Sequence, residues 1–250
     1  MIKKWMTGVV MVAVAGAAWA EPESTLLTRE NKLPEKGQVE IGALIGMQAL
    51  EFEKHYQETP YLRYGLLGNL AANVTIPVKQ IRVDQGFNGN RSGLGDVTVG
   101  LELVPYQDAF RFPYIMPHVD VGFPTGDQDK NLGSGDVSVF AGVTVGTTTY
   151  EIYHWAVDVS VRHLVDNDPT TKDDTVVLAG SFIWDLSEEF SLLTEIGGSN
   201  QDLPDGRPIT FEGGMVYKPA DTAWLLGLYG GKTIHSSEDW NGTIKISYSF

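Results

Sequence analysis

The sequence predicts an all-β fold, a transmembrane antiparallel up-and-down β-barrel of about twelve strands. Three observations predict it. From residue 37 to the C-terminus, apolar residues recur at every second position within successive runs. Short and long connections alternate between those runs. Charged residues make up only 20% of the 250, while glycine numbers 28. A mean hydropathy of -0.10 is too low for a bundle of membrane helices, yet it suits a barrel, whose strands alternate apolar and polar residues.

Composition excludes several classes. With no cysteine, disulfide scaffolds, thiol enzymes and cysteine-based zinc sites are ruled out. A net charge of -14 with no basic patch speaks against nucleic-acid binding. A hydrophobic content of 42% is too high for a disordered chain.

The first twenty residues read as a secretory signal peptide. Lys3 and Lys4 open it, residues 9–18 are apolar and small, and Ala18-Trp19-Ala20 has the small-x-small form of a cleavage site. The apolar run is shorter than the ~20 residues a spanning helix needs. Residues 21–36 follow as a polar N-terminal lead-in with Pro22, Pro34 and several charges, and residues 37–250 form the expected outer-membrane barrel.

The C-terminal strand shows the period best. Trp240, Gly242, Ile244, Ile246, Tyr248 and Phe250 alternate with Asn241, Thr243, Lys245, Ser247 and Ser249. A helix would wind such residues around its axis, whereas a strand separates them onto two faces. The same alternation places strands at 37–50, 60–67, 70–83, 93–104, 110–123, 135–147, 152–164, 174–185, 189–199, 208–218, 222–234 and 240–250, with 60–67 the shortest.

Short connections are expected near 67–69, 107–109, 148–151, 187–188 and 220–221. Longer polar ones are expected at 53–59, 84–92, 125–134, 165–173, 200–207 and 235–239. Short turns at one end and long loops at the other characterise outer-membrane barrels, and an even strand count puts both chain ends on the short-turn side, the periplasm. The expected location is therefore the bacterial outer membrane. A secreted soluble β-sandwich would also alternate, with its apolar face inward. Strand lengths near the ~9–11 residues that cross a bilayer favour the barrel. So do aromatic residues near strand ends: Tyr61, Tyr64, Tyr106, Tyr114, Phe123, Trp155, Trp184, Tyr217, Trp224, Trp240 and Phe250, which suggest interfacial girdles.

Two segments are more specific. One is Gly93-Leu94-Gly95-Asp96. The other runs from Pro124-Thr125-Gly126-Asp127 to Gly133-Ser134-Gly135-Asp136. With the earlier Tyr61-Leu62-Arg63-Tyr64-Gly65, they resemble the outer-membrane family labelled MetA-pathway of phenol degradation, over most of the chain from residue 37 onward. The resemblance implies a transporter-like barrel passing small molecules, hydrophobic or aromatic ones among them. Read as turn chemistry, the glycines admit positive φ and the aspartates bond nearby amides. The sharper alternative is a calcium or ligand role for Asp127, Asp129 and Asp136; calcium wants six to eight oxygens and the spacing matches no loop motif. The terminal Ile246, Tyr248 and Phe250 resemble the sorting signal read by the barrel assembly machinery.

Parity places Glu40, Arg63, Glu102, His118, Asp120, Asp158, Arg162, Glu195, Glu212 and Lys245 on the polar face, as lumen-lining candidates. Acids outnumber bases. Either water fills the lumen and the acids favour cations, or acids and bases pair across a narrow interior and plug it. With no long inserted loop or plug domain evident, the expectation is a modest open channel, or one closed only by its loops. No GxSxG is present, so no catalytic residue is assigned; a lipid hydrolase using a Ser–His pair is the remote alternative. No cofactor or metal is implied. The expected partners are outer-membrane lipid, the secretory export and barrel assembly machineries, and a small-molecule solute. The functional expectation is passive passage of small solutes, and the competing one is a closed structural or binding barrel acting through its loops.

Overall fold

Ile244 and Lys245 are neighbours on the C-terminal strand and face opposite ways: Ile244 is 45% exposed and Lys245 is 5% exposed. That relationship repeats around a closed antiparallel wall. The structure, a computed structural model, describes residues 24–30, 32–50, 52–83, 89–105, 113–165, 174–201, 206–235 and 238–250. The signal-peptide reading, Tyr106 and the turn at 107–109 lie outside the described residues.

The strands are β1 (Val39–Leu50), β2 (Glu53–Leu67), β3 (Leu70–Thr75), β4 (Val78–Val83), β5 (Arg91–Leu94), β6 (Val97–Leu103), β7 (Tyr114–Phe123), β8 (Val137–Thr149), β9 (Tyr153–Val165), β10 (Asp174–Asp185), β11 (Phe190–Ser199), β12 (Ile209–Tyr217), β13 (Trp224–Ile234) and β14 (Glu238–Ser249). They form a barrel of 12 spans, because β3 and β4 are two halves of one span and β5 and β6 are halves of the next. β1 closes the barrel, pairing Ile45 with Ile244 of β14 on one side and with Glu58 of β2 on the other. Closure through β1 removes the open edge that lipid does not tolerate; only the short β5, paired with β4 alone, keeps an unpaired side among the described strands.

The two broken spans share one cause. Pro77 has no N–H to give the ladder, and its carbonyl instead accepts the Gly95 N–H at 2.7 Å. β2 runs past the break, pairing with β3 up to Thr75 and with β4 from Val78. This corrects two expectations. Residues 53–59 are strand and not loop, and β2, at 15 residues, is not the shortest strand. Its outer part carries Glu53, Lys54, His55 and Glu58 and lacks apolar alternation. Arg91 bonds Glu53 at 2.9 Å, and Arg82 lies 5.0 Å from the Tyr56 ring, so polar side chains coat this part of the wall.

Outward positions are apolar: Ile115, Val157, Val159, Leu178, Ile196, Phe211 and Leu228 are all exposed. At the short-turn end Trp155 meets Phe182 (4.3 Å between rings), Phe190 meets Tyr217 (4.6 Å) and Trp224 meets Tyr248 (4.8 Å). These rings form the girdle the sequence suggests. Tyr61 and Tyr114 do not belong to it; both turn inward, where each ring covers a glycine, Gly42 and Gly146, that a Cβ would push away.

Candidate functional site

The buried interior is largely polar, unlike a soluble core, with two apolar clusters, one around Met116 and one around Leu193. Glu40, Arg63, Glu102, His118, Asp120, Asp158, Glu195 and Lys245 are buried inside the wall. Glu212 is partly exposed and lines an internal cavity. Arg162 shares the inward parity of Asp158 and Ser160 but is exposed, toward the long-loop end of β9.

What fills the interior is the described part of the lead-in, residues 24–30 and 32–36. It enters at the short-turn end, where Gly37 donates to the Gly65 carbonyl (2.8 Å) and Gly65 donates to Gln38 (3.0 Å). A Cβ at Gly65 would collide with the Pro34 and Glu35 carbonyls, so this crossing requires glycine. Leu33 is clasped by Ala71, Val104 and Met116. The segment reaches Glu195, in the middle of β11, whose carboxylate accepts the backbone N–H groups of Leu26 (2.9 Å), Leu27 (3.0 Å) and Thr28 (3.2 Å). There it doubles back. Thr25 Oγ1 donates to Thr28 O at 2.8 Å, and Glu30 accepts from Ser24 N (2.6 Å) and Thr25 N (3.1 Å). Burial alone pushes the Glu30 carboxyl up; Lys32 at 3.0 Å, Lys218 and the Ser24 N–H outweigh it and hold the group at about 2. The result is a hairpin seated in the lumen, which overturns the expectation of a barrel without a plug.

One wall carries most of the charge. Arg63 donates to Glu40 Oε2 (2.7 Å), Glu102 Oε2 (2.8 Å) and the Lys32 carbonyl (3.2 Å). Arg29 of the hairpin donates to Glu102 Oε1 and, at 2.6 Å, to Asp120 Oδ2. Asn73 donates to both acids, at 3.3 and 3.4 Å. Gly100 leaves the room these groups use; a Cβ there would strike Asp120 and Asn73. Beside them His118 bonds Asp158 at 2.8 Å, and Thr144 (2.6 Å) and Ser160 donate to the same carboxylate. His118 and Ser160 thus share an acid and do not pair with one another. At the short-turn end His154 bridges Thr148 (2.8 Å) and Asp185 (2.6 Å).

Across the lumen Lys245 donates to Thr25 O at 3.2 Å and Tyr229 to Ser24 O at 2.6 Å. Tyr114 donates to Arg29 O at 2.9 Å. A cavity of about 460 Å³ toward the long loops is lined by Leu26, Leu44, Gln57, Lys79, Ile81 and Glu212. Another, of about 590 Å³ at the short-turn end, is lined by Lys32, His154, Asp185 and Lys218. Each has a hairpin residue in its wall.

The glycine–aspartate segments form a lock on loop 124–136. Asp96 sits at the β5–β6 break and accepts Gly126 N (3.0 Å), Ser134 N (2.7 Å) and Ser134 Oγ (2.8 Å). Thr125 Oγ1 accepts Val97 N at 2.9 Å and donates to Gly95 O at 2.8 Å. Gly126 and Gly133 lie back to back with no room for a Cβ, and Gly135 has φ +81°. Leu132 is tucked against Gly93 and Gly95. Asp127 caps the 3-10 turn Gln128–Lys130 and pairs with Lys130, whose hydrogen bond lowers the Asp127 pKa. Asp136 contributes its backbone carbonyl, accepting from Ser134 Oγ at 2.9 Å. Among the described residues no group of three or more His, Asp or Glu is placed to hold a metal. At the far end Ile246, Tyr248 and Phe250 face outward, and Phe250 exchanges backbone hydrogen bonds of 2.8 Å with Val39, at the seam.

Sequence reasoning missed Arg29, Glu30, Lys32 and Leu33, which have no periodicity to betray them. The one signal was the surplus of inward acids.

No family model matches the chain, and no curated protein matches it. Solved structures do. The COG4313 outer membrane channel from Pseudomonas putida F1 superposes with a TM-score of 0.71 at 14% identity, covering 87% of this chain and 97% of that one. The KdgM porin gives 0.59 at 13% identity, covering 84% and 99%. The NanC porin gives 0.56 at 9%, covering 83% and 97%. At these identities the likeness is one of fold: the chain shares the closed barrel seen in structures of outer-membrane channels and porins.

Proposed function

We propose that the protein is a bacterial outer-membrane channel for passive passage of small solutes, with both chain termini on the periplasmic side and with residues 24–36 as a displaceable closure. The observation that carries this reading is the buried, charged lumen inside an apolar wall, filled by a segment that is joined to the barrel by hydrogen bonds and ion pairs. A barrel needing only rigidity gains nothing from burying so many charges, since desolvation offsets much of each pair's attraction. The channels and porins that share the fold support it. The family resemblance adds hydrophobic or aromatic solutes as the finer reading, for which Leu26, Leu44 and Ile81 supply an apolar side to the outer cavity.

With the hairpin displaced, Glu40, Glu102, Asp120 and Glu195 outnumber Arg63 and Lys245, and the lumen favours cations. The reversal potential of the barrel in a KCl gradient tests this. Cation preference, reduced in the D120N and E212Q variants, is expected; anion preference or ideal nonselectivity contradicts it. The second reading, a closed barrel acting through its loops, has the Asp96 lock on loop 124–136 in its favour. A folded barrel that never conducts selects it.

A further inference from the structure

We propose that the pocket between Glu102 and Asp120 is a binding site for guanidinium- and ammonium-bearing solutes, and that Arg29 of the lead-in is its built-in occupant. Arg29 sits on a segment outside the barrel wall, and its guanidinium spans two carboxylates from adjacent strands, donating one nitrogen to Glu102 and the other to Asp120 at 2.6 Å. A planar cation donating from two nitrogens is what such a pair of acids selects. The site is shaped for it. Gly100 makes the space, Asn73 donates to both acids from behind, and Arg63 holds the far oxygen of Glu102.

The wall's own cations do not balance the site. Arg63 is already shared between Glu40 and Glu102, so withdrawing Arg29 leaves Asp120 and half of Glu102 without an ion-pair partner in a buried place. Uncompensated buried carboxylates are costly, and a small cation entering the lumen relieves that cost. The imidazole of His118, beside these acids and fully buried, has its Nδ1 without a hydrogen-bond partner. The wall leaves that polar atom unused. A solute cation and the tethered Arg29 then compete for one position. The proposal rests on the channel reading only in its consequence, that occupancy by a solute favours release of the hairpin and opening.

The test uses agmatine, a guanidinium amine with no carboxylate, on the detergent-solubilised barrel. Calorimetric titration into R29A should show saturable binding. A tethered occupant acts at an effective concentration in the millimolar range, so the parent protein should bind agmatine at least about tenfold more weakly than R29A. Adding E102Q and D120N to R29A should abolish binding, and glucose and glutamate should not bind. Should R29A fail to fold, the parent protein supplies an independent readout: agmatine should speed chymotryptic cutting at Leu26 or Leu27 by freeing the hairpin, whereas the same concentration of NaCl should not. Absence of binding to folded R29A, binding that survives E102Q/D120N, or unchanged cutting of the parent overturns the proposal. Binding as expected in a barrel that carries no current, with or without residues 24–36, leaves the site standing and removes the channel reading.

Discussion

Glu195 Oε2 accepts the backbone N–H of Leu26 at 2.9 Å, and its other oxygen accepts the next two N–H groups along the chain. Three successive amides of a turn pointing at one carboxylate form an anion cradle, here with the anion supplied by the wall and the cradle by the inserted hairpin. The hairpin apex is therefore held by a group in the middle of a spanning strand. Hydrogen bonds to a charged acceptor contribute about 1.5–3 kcal/mol each where they are buried. E195A should raise protease sensitivity at Leu26 and Leu27 about tenfold or more while the barrel keeps its heat-modifiable gel shift. Equal protection in E195A and the parent would show that the apex is held elsewhere.

Gly65 should tolerate no side chain. The lead-in backbone crosses it so closely that a Cβ meets the Pro34 and Glu35 carbonyls. G65A should leave the β2–β3 pairing intact and lift the lead-in from its entry point. The check is hydrogen exchange at Gly37, whose N–H is bonded to Gly65 O at 2.8 Å. Faster exchange confined to the lead-in is expected; unchanged exchange contradicts the crossing.

Acid should loosen the hairpin late. Lys32 and the Ser24 N–H overcome the effect of burial and hold Glu30 at about 2, against an ordinary 4.5. A depressed carboxyl contributes stability that is fully present above its ordinary pKa and is lost as pH falls through the depressed value. The difference is worth on the order of 3 kcal/mol to the docked hairpin. Protease protection of the hairpin should thus persist at pH 5 and decline progressively below pH 4. E30Q should remove this part of the pH dependence and lower protection at neutral pH.

Asp96 should govern loop 124–136. D96A removes the acceptor for Gly126 N and Ser134 N and leaves both amides unpaired beside the wall break. Leaving such donors unsatisfied costs about 1–3 kcal/mol each where water cannot reach them. Cutting within 127–133 should rise in D96A and stay low in D127A, since Asp127 pairs only with its own turn. Similar cutting in both variants would contradict the lock.

Placement of the wall in lipid gives a fifth contrast. Val159 faces outward on β9 with 52% of its surface exposed, and Asp158 beside it faces the lumen at 4%. V159R should destabilise the barrel in a bilayer by about 2–4 kcal/mol if it lies near the midplane, measured as a shift in urea-dependent folding into vesicles. No shift would favour a soluble barrel.

Much of this architecture is legible in the sequence because the wall obeys one rule. Outward Ile244 and inward Lys245 need only a period of two, and the same rule placed Glu40, Glu102, Asp120, Asp158 and Glu195 inside. The rule fails where lipid no longer imposes it. Residues 53–59 belong to a strand whose outer end carries charges, so they read as a loop. Tyr61 and Tyr114 read as interfacial aromatics because a glycine partner across the strand, Gly42 or Gly146, is invisible without the register. The hairpin was hidden for a deeper reason. Most of its contacts use backbone groups, amides to Glu195 and carbonyls to Lys245, Tyr229, Tyr114 and Arg63, with a single arginine to Glu102 and Asp120, and such contacts leave no periodic trace in residues 24–36.

The most direct measurement is single-channel conductance in planar bilayers of the parent barrel and of a form lacking residues 24–36. A mostly closed parent with rare steps is expected, and a truncated form that is open for most of the record and prefers cations. A truncated barrel that is folded, inserted and silent would contradict it, as would a parent that conducts as freely as the truncated form.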